Sequence, residues 1–284
     1  MVELKSLITP VLFGLLLAAE HLSPLRSRTN RVLTRLPVNL VMTGLVFGVG
    51  SLLVAPAAMA VAQWGAERRM GLCYVVPLPS WGAIILGVLL MDLTFYYWHR
   101  ANHKISLLWR FHNVHHVDPD LDVSTSFRFH VAEIGYSTLF RVAQVAVLGI
   151  DPTTFLIYQM VFAWATMFHH SNLRLPLGFE RGLNKILVTP RMHGVHHSDV
   201  ITETDSNYSV LFSWWDRLHG TLILNVRQDA INVGVPAYQD LKDNGLRALL
   251  KAPFVKQRGY WRRTDGTRSA GNQSSAVRAT QMLA

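Results

Sequence analysis

Three short histidine groups set the strictest condition on this chain, because they make sense only if the fold brings them together. Two are close in sequence: Tyr97-Trp98-His99-Arg100-Ala101-Asn102-His103, then Phe111-His112-Asn113-Val114-His115-His116. The third lies far downstream, at Met192-His193-Gly194-Val195-His196-His197. On a helix, positions i, i+3 and i+4 share one face, so each HxxHH triplet and the His99/His103 pair can aim imidazoles at one spot. Imidazole nitrogen suits iron, zinc, copper and nickel, and a set this large exceeds the shell of a single ion. Structural or pH-responsive histidines have no reason to adopt ligand spacing, so the pattern reads as a metal centre of more than one ion.

Composition says where that centre is built. Half of the 284 residues are hydrophobic and only 16% are charged, against about a quarter in soluble domains. Apolar runs occupy residues 6–22, 38–63, 81–98, 132–150 and 153–168, which predicts an all-α bundle of about four to five membrane helices. Residues 6–22 read as an uncleaved first helix, since no small-x-small cleavage site follows. The net charge of +9 fits basic residues flanking apolar spans against an anionic leaflet. Nucleic acid is excluded as a partner, because those residues form no recognised binding motif. The single Cys73 excludes an intrachain disulfide and a thiolate cage, leaving nitrogen and oxygen ligands.

Topology converges on the same reading. Arg26, Arg28, Arg31 and Arg35 fill the first loop without an acid, which places that loop in the cytoplasm. The third span then exits into the cytoplasm carrying His99, and the hairpin turning at Asp151-Pro152 returns His169-His170-Ser171-Asn172 to that side. Pro190 can start the helix of the last box. Residues 205–226 read as a lid or strand pair, 238–251 as an amphipathic surface helix, and the tail beyond Arg262 as disordered. The expected division is 1–79 for N-terminal membrane helices, 80–255 for a catalytic domain and 256–284 for the tail.

The boxes and the segments around them resemble the fatty acid hydroxylase/sterol desaturase superfamily. The resemblance runs through DLTFYYWHRANH (92–103), LWRFHNVHH (108–116), SFRFHVAE (126–133), HSN (170–172), TPRMHGVHHS (189–198) and NYSVLFSWWDRLHGT (207–221). It implies a multi-pass membrane enzyme with a cytosolic dimetal cap, two Fe ions, and O2 as co-substrate to hydroxylate or desaturate a lipid (fatty acyl, sterol or related) C–H bond. Zinc is an expected substitute in purified protein. Carried over, the ligands are His99, His103, His112, His115, His116, His170, His193, His196 and His197, with His169 and His130 as further candidates. Val131 and His219 depart from the family pattern and leave the subfamily open.

Each ligand ring presents a second N–H that wants an acceptor. Asp92, Glu133 and Asp199 are the leading candidates, with Asp118 and Asp205 beside them. His21 and His219 lack a partner at ligand spacing. No GxGxxG, P-loop or HExxH occurs, so electrons are expected from a separate ferredoxin, cytochrome or reductase. A metal transporter would place its site near the midplane in broken helices, and a zinc hydrolase needs only three ligands.

Overall fold

The computed structural model describes residues 2–269. Among these there is no β-strand, only isolated bridges at Pro24–Leu173, Leu187–Phe212 and Ser198–Val233. The long helices are α1 (Val2–Leu22), α2 (Val32–Val49), α3 (Ala55–Arg68), α4 (Ser80–Lys104), α5 (Ser106–His116), α6 (Val131–Leu148) and α7 (Pro152–His170). Short helices complete the cap: α8 (Leu177–Leu183), α9 (Pro190–His196), α10 (Ile201–Thr204), α11 (Trp214–Leu218) and α12 (Leu246–Lys251).

The protein is an all-α membrane bundle. Three helical stretches are long and apolar enough to cross a bilayer: Val32–Tyr74, Ser80–Lys104 and Val131–Leu148. Of the four to five spans expected, α1 is apolar over a shorter stretch, Ile8–Leu22. The spans turn Leu45, Phe47, Leu52, Ile85, Leu139 and Val147 outward. Such faces are stable against lipid and costly against water.

Local chemistry sets the helix ends. Asp151 accepts from the Thr153 and Thr154 amides, and Pro152 follows at the first helical position, which starts α7. Thr189 and Pro190 do the same for α9. Gly149 ends α6 in the left-handed region at φ 70°, where a Cβ would come within 2.5 Å of the Met70 carbonyl. α2 runs through a π-helical turn at Gly50–Val54 into α3. Residues 32–68 thus extend roughly 55 Å at about 1.5 Å per residue, well beyond a hydrocarbon core of about 30 Å. The surplus belongs to the cap, where Arg35, Asn39 and Met42 are buried.

Three arginines assigned to the first loop do structural work. Arg35 donates to Asp118 (2.7 and 2.6 Å), Asp122 (2.7 Å) and the Asp120 carbonyl (2.9 Å). Arg26 is buried against α9, donating to Gln228 Oε1 at 2.7 Å. Arg28 pairs with Glu20 at 3.2 Å.

Residues 205–226 form no strand pair. They make a loop and α11, held by Asp216, whose carboxylate accepts from the Tyr208 and Ser209 amides and Thr221 Oγ1. Residues 238–251 do not form one surface helix either. They break into short turns ending in α12, because Leu249 is fully buried in a cluster with Met42, Trp109 and Val114. Tyr260 and Trp261 pack on this cluster, and Arg263 donates to Asp199. The remainder of the expected disordered tail, 270–284, lies outside the described residues.

Candidate metal centre

Four elements deliver the histidines. α4 carries His99 and His103, α5 carries His112, His115 and His116, α7 ends on His169 and His170, and α9 carries His193 and His196 with His197 following. Eight of them form two buried groups: His99, His103, His116 and His196, and His115, His170, His193 and His197. Within each group, one ligating atom per residue lies within 4.8 Å of the others.

Each HxxHH box is divided between the groups. His115 and His116, adjacent in sequence, point about 100° apart on α5, so one serves the second group and the other the first. His196 likewise joins the first group, while His193 and His197, one turn apart, join the second. The repeated doublet therefore ties two sites together along one helix.

Backbone carbonyls set the rings' tautomers. His99 Nδ1 donates to the Tyr208 carbonyl (2.7 Å), His196 Nδ1 to that of Ser206 (2.7 Å) and His170 Nδ1 to that of Thr166 (2.8 Å). A carbonyl only accepts, so Nδ1 holds the proton and Nε2 of the neutral ring is bare. Burial, reinforced by the neighbouring imidazoles, holds His115, His116, His193 and His197 far below the ordinary histidine range, and His196 at about 3. These rings are neutral at physiological pH, the form that binds metal.

The inward nitrogens fit a transition metal. Nε2 of His103, His116 and His196 is buried without a partner, a costly state that a cation relieves. In the second group, Nε2 of His170 lies 3.0 Å from those of His115 and His193, and His193 lies 3.2 Å from His197. Metal–nitrogen bonds of about 2.1 Å, at angles from a right angle to the tetrahedral one, set neighbouring nitrogens about 3.0–3.4 Å apart. Neutral imidazoles cannot satisfy this chain among themselves: His170 Nε2 has no proton and His193 Nε2 has at most one.

The other candidates fall outside the two groups. His112 stands between them, with ring centroids 5.0 Å from His103 and His116 and 5.5 Å from His115. Its Nδ1 donates to Glu133 Oε1 at 2.8 Å, and its Nε2 is buried and unpartnered. His169 packs its ring 4.2 Å from His193. His130 is a helix cap, its Nδ1 accepting from the Ala132 amide and its Nε2 donating to the Leu250 carbonyl.

Among the acids considered, only Glu133 makes a hydrogen bond to a histidine. Asp92 instead accepts from the Leu211 and Phe212 amides and from Trp215 Nε1, anchoring the 211–215 loop to α4. Asp199 accepts from Arg263 and Ser269. Asp118 belongs to the Arg35 clamp, and Asp205 accepts from Lys104 and Tyr208. Peptide carbonyls do the work expected of carboxylates because they orient a neutral ring without adding charge to a buried site. His219 bonds Tyr97 and the Trp215 carbonyl, outside the centre.

Several residues that shape the centre had no ligand signature. Tyr208 is fully buried and sets its ring 5.3–5.9 Å from those of His99, His103 and His196. Asn207, at φ 52°, fastens this loop to α9 by donating to the Met192 carbonyl at 2.8 Å. Phe129 stacks on His115 at 4.3 Å. The segment 207–221 contained the signal, but only as a resemblance without a mechanism.

Comparison with known proteins places this geometry. Residues 84–221 match the fatty acid hydroxylase family model. The ornithine lipid hydroxylase OlsE of Rhizobium tropici is 32% identical over 178 residues, covering 61% of this chain and 51% of that protein. Human cholesterol 25-hydroxylase is 31% identical over 142 residues, 49% of this chain and 50% of that protein. Human alkylglycerol monooxygenase is 30% identical over 142 residues, 50% of this chain and 30% of that protein. The chain thus spans about half the length, or less, of these curated relatives. No solved structure matches it significantly. Every histidine of the two groups falls inside residues 84–221, the stretch over which the chain matches the fatty acid hydroxylase family.

Proposed function

We propose that this protein is a membrane dimetal oxygenase that uses O2 and external electrons to hydroxylate a lipid C–H bond. The observation that carries this reading is the pair of four-histidine groups, buried and neutral, with bare nitrogens turned inward. Similarity to proteins named for hydroxylating ornithine lipid and cholesterol, and to alkylglycerol monooxygenases, supports a lipid substrate. Two Fe ions are the proposed occupants, the first held by His99, His103, His116 and His196 and the second by His115, His170, His193 and His197. His112, backed by Glu133, is positioned to serve either. The metal pair supplies the redox chemistry that activates dioxygen toward an unactivated C–H bond.

The chain's own residues do the rest. The carbonyls of Tyr208, Ser206 and Thr166 keep protons on Nδ1, so the Nε2 lone pairs stay available. Tyr208 and Phe129 wall the rings and exclude water. The exposed apolar faces of the spans seat the chain in the bilayer that would hold a lipid substrate. The histidine groups are proposed to face the cytoplasm, where a separate electron donor is reached. Such a site differs from a transporter's, because its ligands lie at helix ends and in the cap.

The test is to express the chain under 18O-labelled dioxygen and compare cellular lipids with those from His196→Ala. A lipid gaining one labelled oxygen with the native chain alone is expected. Identical lipids in both strains, at equal protein and with iron bound to the native chain, would sink the proposal.

A further inference from the structure

Trp109 connects the first histidine group to the protein surface. It precedes His112 and His116 by three and seven residues on α5, and so shares their face. Its ring centroid lies 4.9 Å from that of His103 and 5.3 Å from that of His116. On its other side lies Trp261, 5.9 Å away and 23° from parallel, with Tyr260 at 6.0 Å. Trp109 is buried, whereas Trp261 is partly exposed. An apolar cluster gains from aromatic packing, but packing alone does not call for a continuous file of aromatic rings, tilted at the histidines and stacked between the two indoles, running to solvent.

The surface at the outer end of the column is basic. Residues 255–263, VKQRGYWRR, hold four cations and no acid. Arg258 and Arg263 are held by Asp243 and Asp199, while Lys256 and Arg262 stand exposed beside the aromatic pair.

We propose that Trp261 and Trp109 form the electron entry to the first histidine group, and that the basic surface around Trp261 docks an acidic one-electron carrier protein. This rests on reading the chain as an oxygen-dependent hydroxylase. Placing one oxygen atom of O2 in a C–H bond and releasing the other as water consumes two electrons and two protons. The reduced carrier supplies the electrons in two encounters, losing one each time, and solvent supplies the protons. Both indoles end each transfer unchanged, their stacked rings serving to shorten the through-space gap. The surface cations steer an acidic partner to the outer indole. Anionic lipid is the competing occupant of such a surface. The column behind Trp261 favours the carrier, because a lipid contact gains nothing from it.

The experiment uses the purified, iron-loaded full chain with a reduced plant-type [2Fe–2S] ferredoxin as probe. Reoxidation of ferredoxin is followed anaerobically by its visible absorption, beside its binding affinity and direct reduction of the protein by dithionite. Trp261→Leu should keep metal content, ferredoxin affinity and the dithionite rate, while ferredoxin reoxidation slows about tenfold. Trp261→Phe should restore most of that rate. Lys256→Glu with Arg262→Glu should weaken ferredoxin binding about tenfold or more at low salt, with the dithionite rate unchanged. Equal reoxidation by the native and Trp261→Leu proteins would overturn the proposal. So would absence of salt-dependent ferredoxin binding, or a charge swap that weakens binding to phosphatidylglycerol vesicles but not to ferredoxin. If ferredoxin reoxidation needs Trp261 yet no lipid gains oxygen, the hydroxylase reading fails while the electron route stands.

Discussion

Replacing Arg35 with methionine is expected to destabilise the cap far more than a surface arginine would. Arg35 is 5% exposed and satisfies both oxygens of Asp118, one oxygen of Asp122 and the Asp120 carbonyl. Methionine leaves Asp118 with Arg128 as its cation, at 2.9 Å, and strips Asp122 of its arginine. Removing one partner of a buried ion pair costs about 3–5 kcal/mol, because the other charge stays buried. That lowers Tm by on the order of 10 °C. Loss of iron should accompany it, since the clamped loop joins His115 and His116 to the helix bearing Glu133. The pH dependence supplies a second reading. Burial alone would raise Asp118, but Arg35 and Arg128 overcome it and hold the carboxyl below its usual range. A depressed carboxyl contributes stability above its unfolded value of about 4 and loses it as the pH falls through the folded value. The gap between native and Arg35→Met proteins should therefore be full at neutral pH and narrow below about pH 4. Thermal unfolding in detergent at both pH values measures it. A deficit under about 1 kcal/mol at neutral pH would refute the clamp, since exposed pairs reach that value.

Three further outcomes are expected. His130→Ala should keep bound iron and lose about 1 kcal/mol as a helix cap, whereas His196→Ala should lose iron from the first group; elemental analysis beside unfolding separates them. Gly149→Ala should destabilise strongly, because its φ of 70° and the Met70 carbonyl at 2.5 Å from the new Cβ both resist a side chain; expression and Tm report it. Chelated, metal-free protein should be most stable above about pH 6.5 and weaken as the pH falls. Burial depresses the folded-state value of His196 to about 3, so the unfolded chain takes up protons that the folded one refuses. An acid-insensitive Tm between pH 7 and pH 5 would contradict it.

The histidine geometry was legible because helical spacing is a local property: i, i+3 and i+4 predict a shared face without knowledge of the fold. The turn at Asp151-Pro152 and the start at Pro190 were legible for the same reason. Asp92 was not, because its partners lie in the 211–215 loop and contacts across that separation leave no periodic trace. Arg35 looked like a loop charge until its helix proved to extend into the cap. The division of each box between two sites was also hidden, since spacing says which residues share a face but not how many centres that face serves. Carbonyl acceptors are the extreme case, as every residue owns one and none announces itself.

That last feature has evolutionary weight. A carboxylate that orients a ligand can be deleted by one base change, but a peptide carbonyl survives any substitution that keeps the backbone in place. Positions 166 and 206 can therefore drift in side chain while the rings of His170 and His196 keep their orientation. What they cannot absorb is a change in length. An insertion or deletion between His196 and Tyr208 would shift the carbonyls out of reach, so that loop should tolerate new letters far better than a new count of them.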